Sequence, residues 1–266
     1  MSDSSFDSIT EYAKYLGIER YVGKLPAFAY QNNLTPEAVS SLELVMKHIR
    51  DTKQEVVLET LLNFSRLPKV NPKTFENFDF DRIHGKNVDR LKNLASLSAV
   101  YSGKNLAFIG PPGVGKTHLA MAFGRECCMR ELKTYFLKAS ELNQRFTDAR
   151  KYGRSGSVVN GLVKPTCLII DEIGHCIFDR ENTRLFFDVI DRRYSKDAPN
   201  SMIFTSNREP NTWAEYFTGD DDLLCSLDRI FDDASVFIFN GESYRGRKCE
   251  TIQLEAGGFN LMTSHN

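Results

Sequence analysis

Residues Asn105 to Thr117 read NLAFIGPPGVGKT, a short apolar run leading into a glycine-rich turn that ends in one lysine and one threonine. Gly110, Gly115, Lys116 and Thr117 meet the G-x-x-x-x-G-K-[ST] pattern of a phosphate-binding loop, and Leu106 to Ile109 supply the strand that must precede it. Glycine at 110, 113 and 115 lets the backbone turn tightly, so that successive N–H groups point at phosphate oxygens with no Cβ in the way. The helix that follows adds its positive end. Lys116 reaches the β- and γ-phosphates of ATP as a point charge, and the Thr117 hydroxyl is placed to coordinate a bridging Mg2+. The candidate nucleotide-binding segment is therefore Gly110, Pro111, Pro112, Gly113, Val114, Gly115, Lys116, Thr117 and His118. His118 reads as a helix-surface or pocket-lining residue rather than an acid or base.

A loop of this kind needs an acidic partner on a neighbouring strand, and Cys167 to Glu172, CLIIDE, is an apolar strand ending in two carboxylates. Asp171 is expected to hold the metal and Glu172 to polarise the attacking water, because in-line hydrolysis needs both charge neutralisation and an oriented nucleophile. Thr205-Ser206-Asn207 ends the next strand, where Asn207 either orients the water and senses the γ-phosphate or caps the turn before Pro210. Arg192 and Arg193 close the preceding helix: one complements the helix dipole, the other could reach a neighbour's phosphate. Arg229, on the last helix, either binds phosphate or pairs with an acid such as Asp232 or Asp233. His175 and Cys176 are adjacent and lack spaced partners for a tetrahedral zinc site.

The 266 residues suffice for one large α/β domain and a smaller appendage, and an apolar fraction of 41% is ordinary for a soluble chain. Lys plus Arg number 34 against 35 Asp plus Glu, so any nucleic-acid partner must be read from local patches. Six cysteines with no C-x-x-C pairing read as reduced thiols of a cytoplasmic protein, and no apolar run approaches bilayer length. The opening MSDSSFDSITEY is polar and acidic, unlike a secretory leader.

Residues 1–70 carry no strand signal and read as a small helical domain for partner or DNA engagement. It holds a weak helix over Ser8 to Leu16, an interrupted segment from Gly17 to Pro26, and a long helix beginning at the Thr35-Pro36-Glu37 cap, with a break near Asp51-Thr52. Pro68 and Pro72 mark the linker. Residues 71–250 form the nucleotide domain, and 251–266 read as a loose tail. Phe75, Phe78 and Phe80 form a strap that either faces the adenine side of the pocket or packs across the next domain. A polar helix spans Asn87 to Ala99. Beyond Thr117, strand and helix alternate as in a parallel sheet with crossover helices: helix 119–130, strand 134–137, helix from 140 to about 149, strand 163–170, helix 180–194, strand 202–205 and strand 236–239. The fold class is an α/β P-loop protein with a parallel five-stranded sheet flanked by helices.

Taken together, GPPGVGKTHLA, LIIDEIG, DRRY, TSN, LDRI and GESYR resemble the IstB-like ATP-binding proteins, helper ATPases of bacterial insertion sequences related to the DnaC-type helicase loaders. That resemblance covers nearly all of residues 60–248 and, more weakly, the helices before them. It implies an AAA+ fold with a helical N-terminal domain, an arginine finger at Arg192 or Arg193, Asn207 as first sensor and Arg229 as second sensor arginine. It also implies assembly on duplex DNA and recruitment or stimulation of a transposase. The chain departs from the family after the acidic pair, where it reads Ile173-Gly174-His175-Cys176-Ile177.

The best local DNA feature is Arg145, Arg150, Lys151 and Arg154 running into Gly153, Ser155 and Gly156, a basic helix end leading to a flexible loop. The same residues also suit a solvated charged face. Three functions fit the chain: a DNA-bound helper ATPase of transposition, a loader for a replicative helicase, and an adaptor that ATP merely switches. A finger arginine supplied in trans predicts an ATP-dependent oligomer.

Overall fold

The computed structural model describes residues 3–85, 87–219 and 225–241; the expected tail, the GESYR segment after Gly241 and Cys249 lie outside them. Four helices come first: α1 (Asp3–Leu16), α2 (Glu19–Val22), α3 (Leu25–Gln31) and α4 (Pro36–Ser65). Thr35 caps α4 by accepting from the Ala38 N–H at 3.3 Å, and Pro36 takes the first helical position, where no N–H is needed. The helix then runs 30 residues, about 45 Å, with no break at Asp51-Thr52. It ends where Arg66 turns left-handed at φ 63°.

Helix α4 belongs to two cores. Val39 and Met46 close a small cluster with Ile9 and Ala13 of α1. At the other end Phe64 packs its ring 5.3 Å from that of Tyr135, and Arg66 pairs with Glu141. The helical segment is therefore built onto the sheet by a rigid rod that continues up to residue 65.

Short helices α5 (Val88–Lys92) and α6 (Ser98–Tyr101), separated by a 3-10 turn, replace the single helix expected over 87–99, because Leu97 adopts φ 58° between them. Then come β1 (Leu106–Ile109), α7 (Lys116–Met129), β2 (Thr134–Lys138), α8 (Ala139–Lys151), α9 (Ser155–Val163), β3 (Cys167–Ile173) and α10 (Arg180–Tyr194). After β4 (Ser201–Ser206), α11 (Asp228–Phe231) leads into β5 (Ser235–Ile238). Residues 155–163, read from sequence as the continuation of a flexible loop and the start of a strand, are helical. Val159 and Leu162, three apart, bury one face of that helix and outweigh Gly156 and Gly161.

All pairings are parallel, and the strand order is β2-β3-β4-β1-β5. The acidic strand is thus not the immediate neighbour of the loop strand, because β4 lies between them. Leu106 to Ile109 and Cys167 to Ile170 are fully apolar and buried, as strands covered on both faces must be. One face packs against α8, α9, α10 and Trp213, the other against α7 and the 91–100 segment. Every loop leaving the carboxyl end of a strand therefore opens on one edge.

At the opposite edge Arg193 is 0% exposed. Its guanidinium donates to the carbonyls of Leu162, Val163, Pro165, Thr166 and Ser201 and to Asn200 Oδ1, at 2.7–3.2 Å. Burial pulls its pKa down to about 10, so it stays cationic at neutral pH. It ties the end of α9 to the starts of β3 and β4. Arg193→Ala leaves those acceptors buried and unmatched and should cost on the order of 3 kcal/mol or more in urea unfolding. Exposed Arg192→Ala should stay within about 0.5 kcal/mol. Equal unfolding midpoints for the two variants would overturn the clamp.

Candidate nucleotide site

The loop between β1 and α7 is shaped by its neighbours. Gly110 has φ 150°, and a Cβ there would lie 2.4 Å from the Phe239 carbonyl oxygen. At Gly115, φ is 99° and a Cβ would lie 2.7 Å from the Phe78 ring. Only glycine fits either place. The Gly110 N–H donates to the Ser206 carbonyl at 3.1 Å, which fastens the loop to β4. Lys116 is nearly buried, and its Nζ donates at 2.7 Å to Gly110 O, to Pro111 O and to Asn207 Oδ1. The ammonium is thereby held across the loop, where phosphate oxygens can exchange for those carbonyls.

Asp171 sits at the end of β3, 1% exposed. Its Oδ1 accepts from Thr117 Oγ1 at 2.8 Å and from Thr205 Oγ1 at 2.5 Å. Burial pushes its carboxyl above the usual range, against the pull of the two hydroxyls. Pairing of β3 with β4 shifts register between Ile170 and Ile173, and within that bulge Glu172 takes φ 62°. The Glu172 N–H donates to Thr205 Oγ1 at 3.0 Å, which holds the bulge in place. A bulge re-aims side chains: Asp171 meets the loop helix, while Glu172, half-buried, pairs with Lys138 at 2.9 Å. Two hydroxyls and a desolvated carboxylate form a hard oxygen donor set that suits Mg2+.

Other residues singled out in the sequence fall in different places. His118 Nε2 lies 2.9 Å from the Thr74 carbonyl, and its ring meets Phe78 edge-on at 5.2 Å. Burial lowers its pKa, so the neutral ring donates to that carbonyl and ties the strap to the loop helix. Phe78 joins the core beneath α7, so packing explains the strap. Arg193, the clamp, is too buried to act as a finger. Arg229 does not serve its own loop either: it pairs with Asp191 on α10, and the next residue, Ile230, accepts from Asn105 Nδ2 at the start of β1. That is the edge opposite the loop, about 13 Å away along the strand. The acids weighed as its partners, Asp232 and Asp233, instead meet Tyr194 and Lys104. Arg192 is exposed on the last turn of α10, held by Asp188 and Asn160.

The basic stretch divides in two. Arg145 donates to the Tyr135 hydroxyl, and Arg150 grips Asp179, the cap of α10, and Asn182 at 2.8–2.9 Å. Both serve the fold. Lys151 and Arg154 flank Tyr152, with cationic atoms 5.4 and 5.9 Å from its ring centre, on an exposed tip turned by Gly153 at φ 63°. Because Arg150 ties the base of this tip to the start of α10, just past β3, the tip stands on the nucleotide-bearing edge.

Beside the loop lies a cleft of about 560 Å³ between β5 and the chain before α6, lined by Ile83, His84, Val88, Val114, Val236 and Phe239 among others. Its size, with apolar side chains such as Ile83 and Val236 set among polar ones such as Arg82, Asn87 and Asn240, suits a base and sugar next to the phosphate cradle. Neither this cleft nor Lys138 was marked in the sequence, since no motif there signals a ligand.

Fold and site together define a P-loop nucleotide-binding protein of the AAA+ type. Two solved structures share the fold. DnaI superposes with a TM-score of 0.53 at 20% identity over 69% of this chain and 93% of its own. The replication initiator DnaA, bound to AMPPCP and single-stranded DNA, gives 0.54 at 20% over 66% of this chain, which spans about half (52%) of that one. Residues 14–251 match the family model of the IstB-like ATP binding proteins, and the chain belongs to that family. A protein of insertion sequence IS5376 from Geobacillus stearothermophilus is 39% identical over 197 residues, 74% of this chain and 76% of its own. One of IS232 from Bacillus thuringiensis subsp. berliner is 31% identical over 245 residues, 91% and 95% of the two chains.

If Asp171 is kept for its charge, Asp171→Asn should melt no lower than wild type without nucleotide, because the amide oxygen can accept from both threonines and no charge is buried. Magnesium-dependent ATP turnover should vanish. A variant that melts well below wild type would mean the carboxylate is structural.

Proposed function

We propose that this chain is a magnesium-dependent ATPase that assembles on duplex DNA and assists a transposase of its own mobile element. The observation that carries the hydrolytic reading is the bulge at Asp171-Glu172, which aims one carboxylate at the Thr117 hydroxyl and leaves the next half-exposed beside it. In this reading Gly110 to Thr117 hold the phosphates, with Lys116 on the β- and γ-oxygens, and Thr117 with Asp171 holds Mg2+. Bound there, the ion supplies charge neutralisation for the phosphoryl group. Glu172 orients the attacking water once it leaves Lys138, and Asn207 meets the γ-phosphate.

Arg192 and Arg229 stand exposed at the edge remote from their own loop. From there neither reaches its own loop, which supports self-association and makes both residues candidates for a finger on a second copy's phosphate, once they leave Asp188 and Asp191. The exposed Lys151–Arg154 tip supports phosphate-backbone contact with DNA. A client transposase is supported by family membership and by relatives that belong to insertion sequences. The fold likeness to DnaI is too general to favour helicase loading. The helices of residues 1–70 are assigned to partner or DNA engagement.

Phosphate release in Mg-ATP, with and without duplex DNA, tests the reading. Glu172→Gln should retain ATP binding and lose turnover by about a hundredfold or more. Wild type no faster than this variant would leave an ATP-switched adaptor. For DNA, Lys151→Ala with Arg154→Ala should weaken binding uniformly across sequences and make the salt slope shallower by about 2, without changing ATP affinity. An unaltered slope would place the contact elsewhere.

A further inference from the structure

Asn207 stands between two groups at the carboxyl edge of β4. Lys116 Nζ lies 2.7 Å from its Oδ1, and His175 Nε2 lies 3.1 Å from its Nδ2. An ammonium only donates, so the amide oxygen must face Lys116, and the amide N–H must then face the imidazole. His175 Nε2 is consequently the acceptor, and the ring proton sits on Nδ1. The imidazole is placed by the turn that follows the acidic pair. The His175 N–H donates to the Glu172 carbonyl at 3.2 Å, and Gly174 takes φ 92° with its Cβ position closed by Arg208 Cγ at 2.9 Å. One turn thus sets both the water-orienting carboxylate and the group behind Asn207.

We propose that His175 is a positioning residue for hydrolysis: it holds the Asn207 amide by one N–H, with the oxygen on Lys116, so that the second N–H faces the γ-phosphate or its attacking water. The assignment rests on the hydrolytic reading of the site. Without an acceptor at 175 the amide keeps only its contact with Lys116, so the direction of its N–H groups is held at one end instead of two. Glutamine at 175 would restore a neutral acceptor of similar reach.

Two measurements test it. In steady-state kinetics, His175→Ala should lower kcat about tenfold with the KM for ATP within about twofold, and His175→Gln should recover most of the loss. His175 is exposed, so both variants should melt as wild type does. In nitrogen-15 spectra of the five histidines, the signal lost in His175→Ala should report the Nδ1–H tautomer, moving toward Nε2–H in Asn207→Ala. An unchanged kcat in His175→Ala, or an Nε2–H tautomer in the wild type, overturns the proposal. If wild type turns over no faster than Glu172→Gln, the hydrolytic reading has failed, and the tautomer alone then decides whether His175 holds Asn207.

Discussion

One buried oxygen, Asp171 Oδ1, accepts from two threonine hydroxyls, one at the start of the loop helix and one on the strand that separates the loop from the acidic strand. Three elements are thereby set at hydrogen-bond distance around a point where water is nearly excluded. The arrangement costs free energy, since burial disfavours the carboxylate and two neutral hydroxyls only partly compensate. Most other features of the site follow from it. Thr205 donates to Asp171 and at the same time accepts from the Glu172 N–H, within the bulge that turns Glu172 outward.

The two edges of the sheet have separate work. The carboxyl edge gathers the phosphate loop, the acidic pair, Asn207 with His175, and the exposed Lys151–Arg154 tip. The amino edge is closed by the Arg193 clamp and presents Arg192 and Arg229 outward. A parallel sheet makes this division unavoidable, because every strand ends on the same side. Helix α8 links strand β2, whose last residue Lys138 pairs with Glu172, to the basic tip at its other end. The basic tip and the lysine that pairs with Glu172 therefore stand at the two ends of a single helix.

Much of this was open to reading from the chain alone, for identifiable reasons. The phosphate loop, the acidic strand end, the cap at Thr35 and the 180–194 helix are local signals: each depends on residues within a few positions of one another. Helix α9 escaped because its stability comes from burying Val159 and Leu162 under α10, which local glycines obscure. The split of the 87–99 helix turned on one left-handed residue, Leu97, which no motif marks.

The arginines mark the limit most clearly. As letters, Arg192 and Arg193 are equivalent, and so are Arg150 and Lys151 as charges. Only packing shows that Arg193 is buried while Arg192 faces outward, and that Arg150, though exposed, is paired with Asp179, because a turn of about 100° per residue on a helix sends adjacent side chains to different surroundings. The sequence by itself determined the chemistry, a triphosphate cradle with acids to match, since glycine, lysine and carboxylate are required in a short run. Which distant groups meet that cradle was decided only by tertiary structure: β4 lies between loop and acids, His175 behind Asn207, Arg229 at the far edge. Strand order and helix rotation depend on the whole core, and no local stretch of residues encodes them.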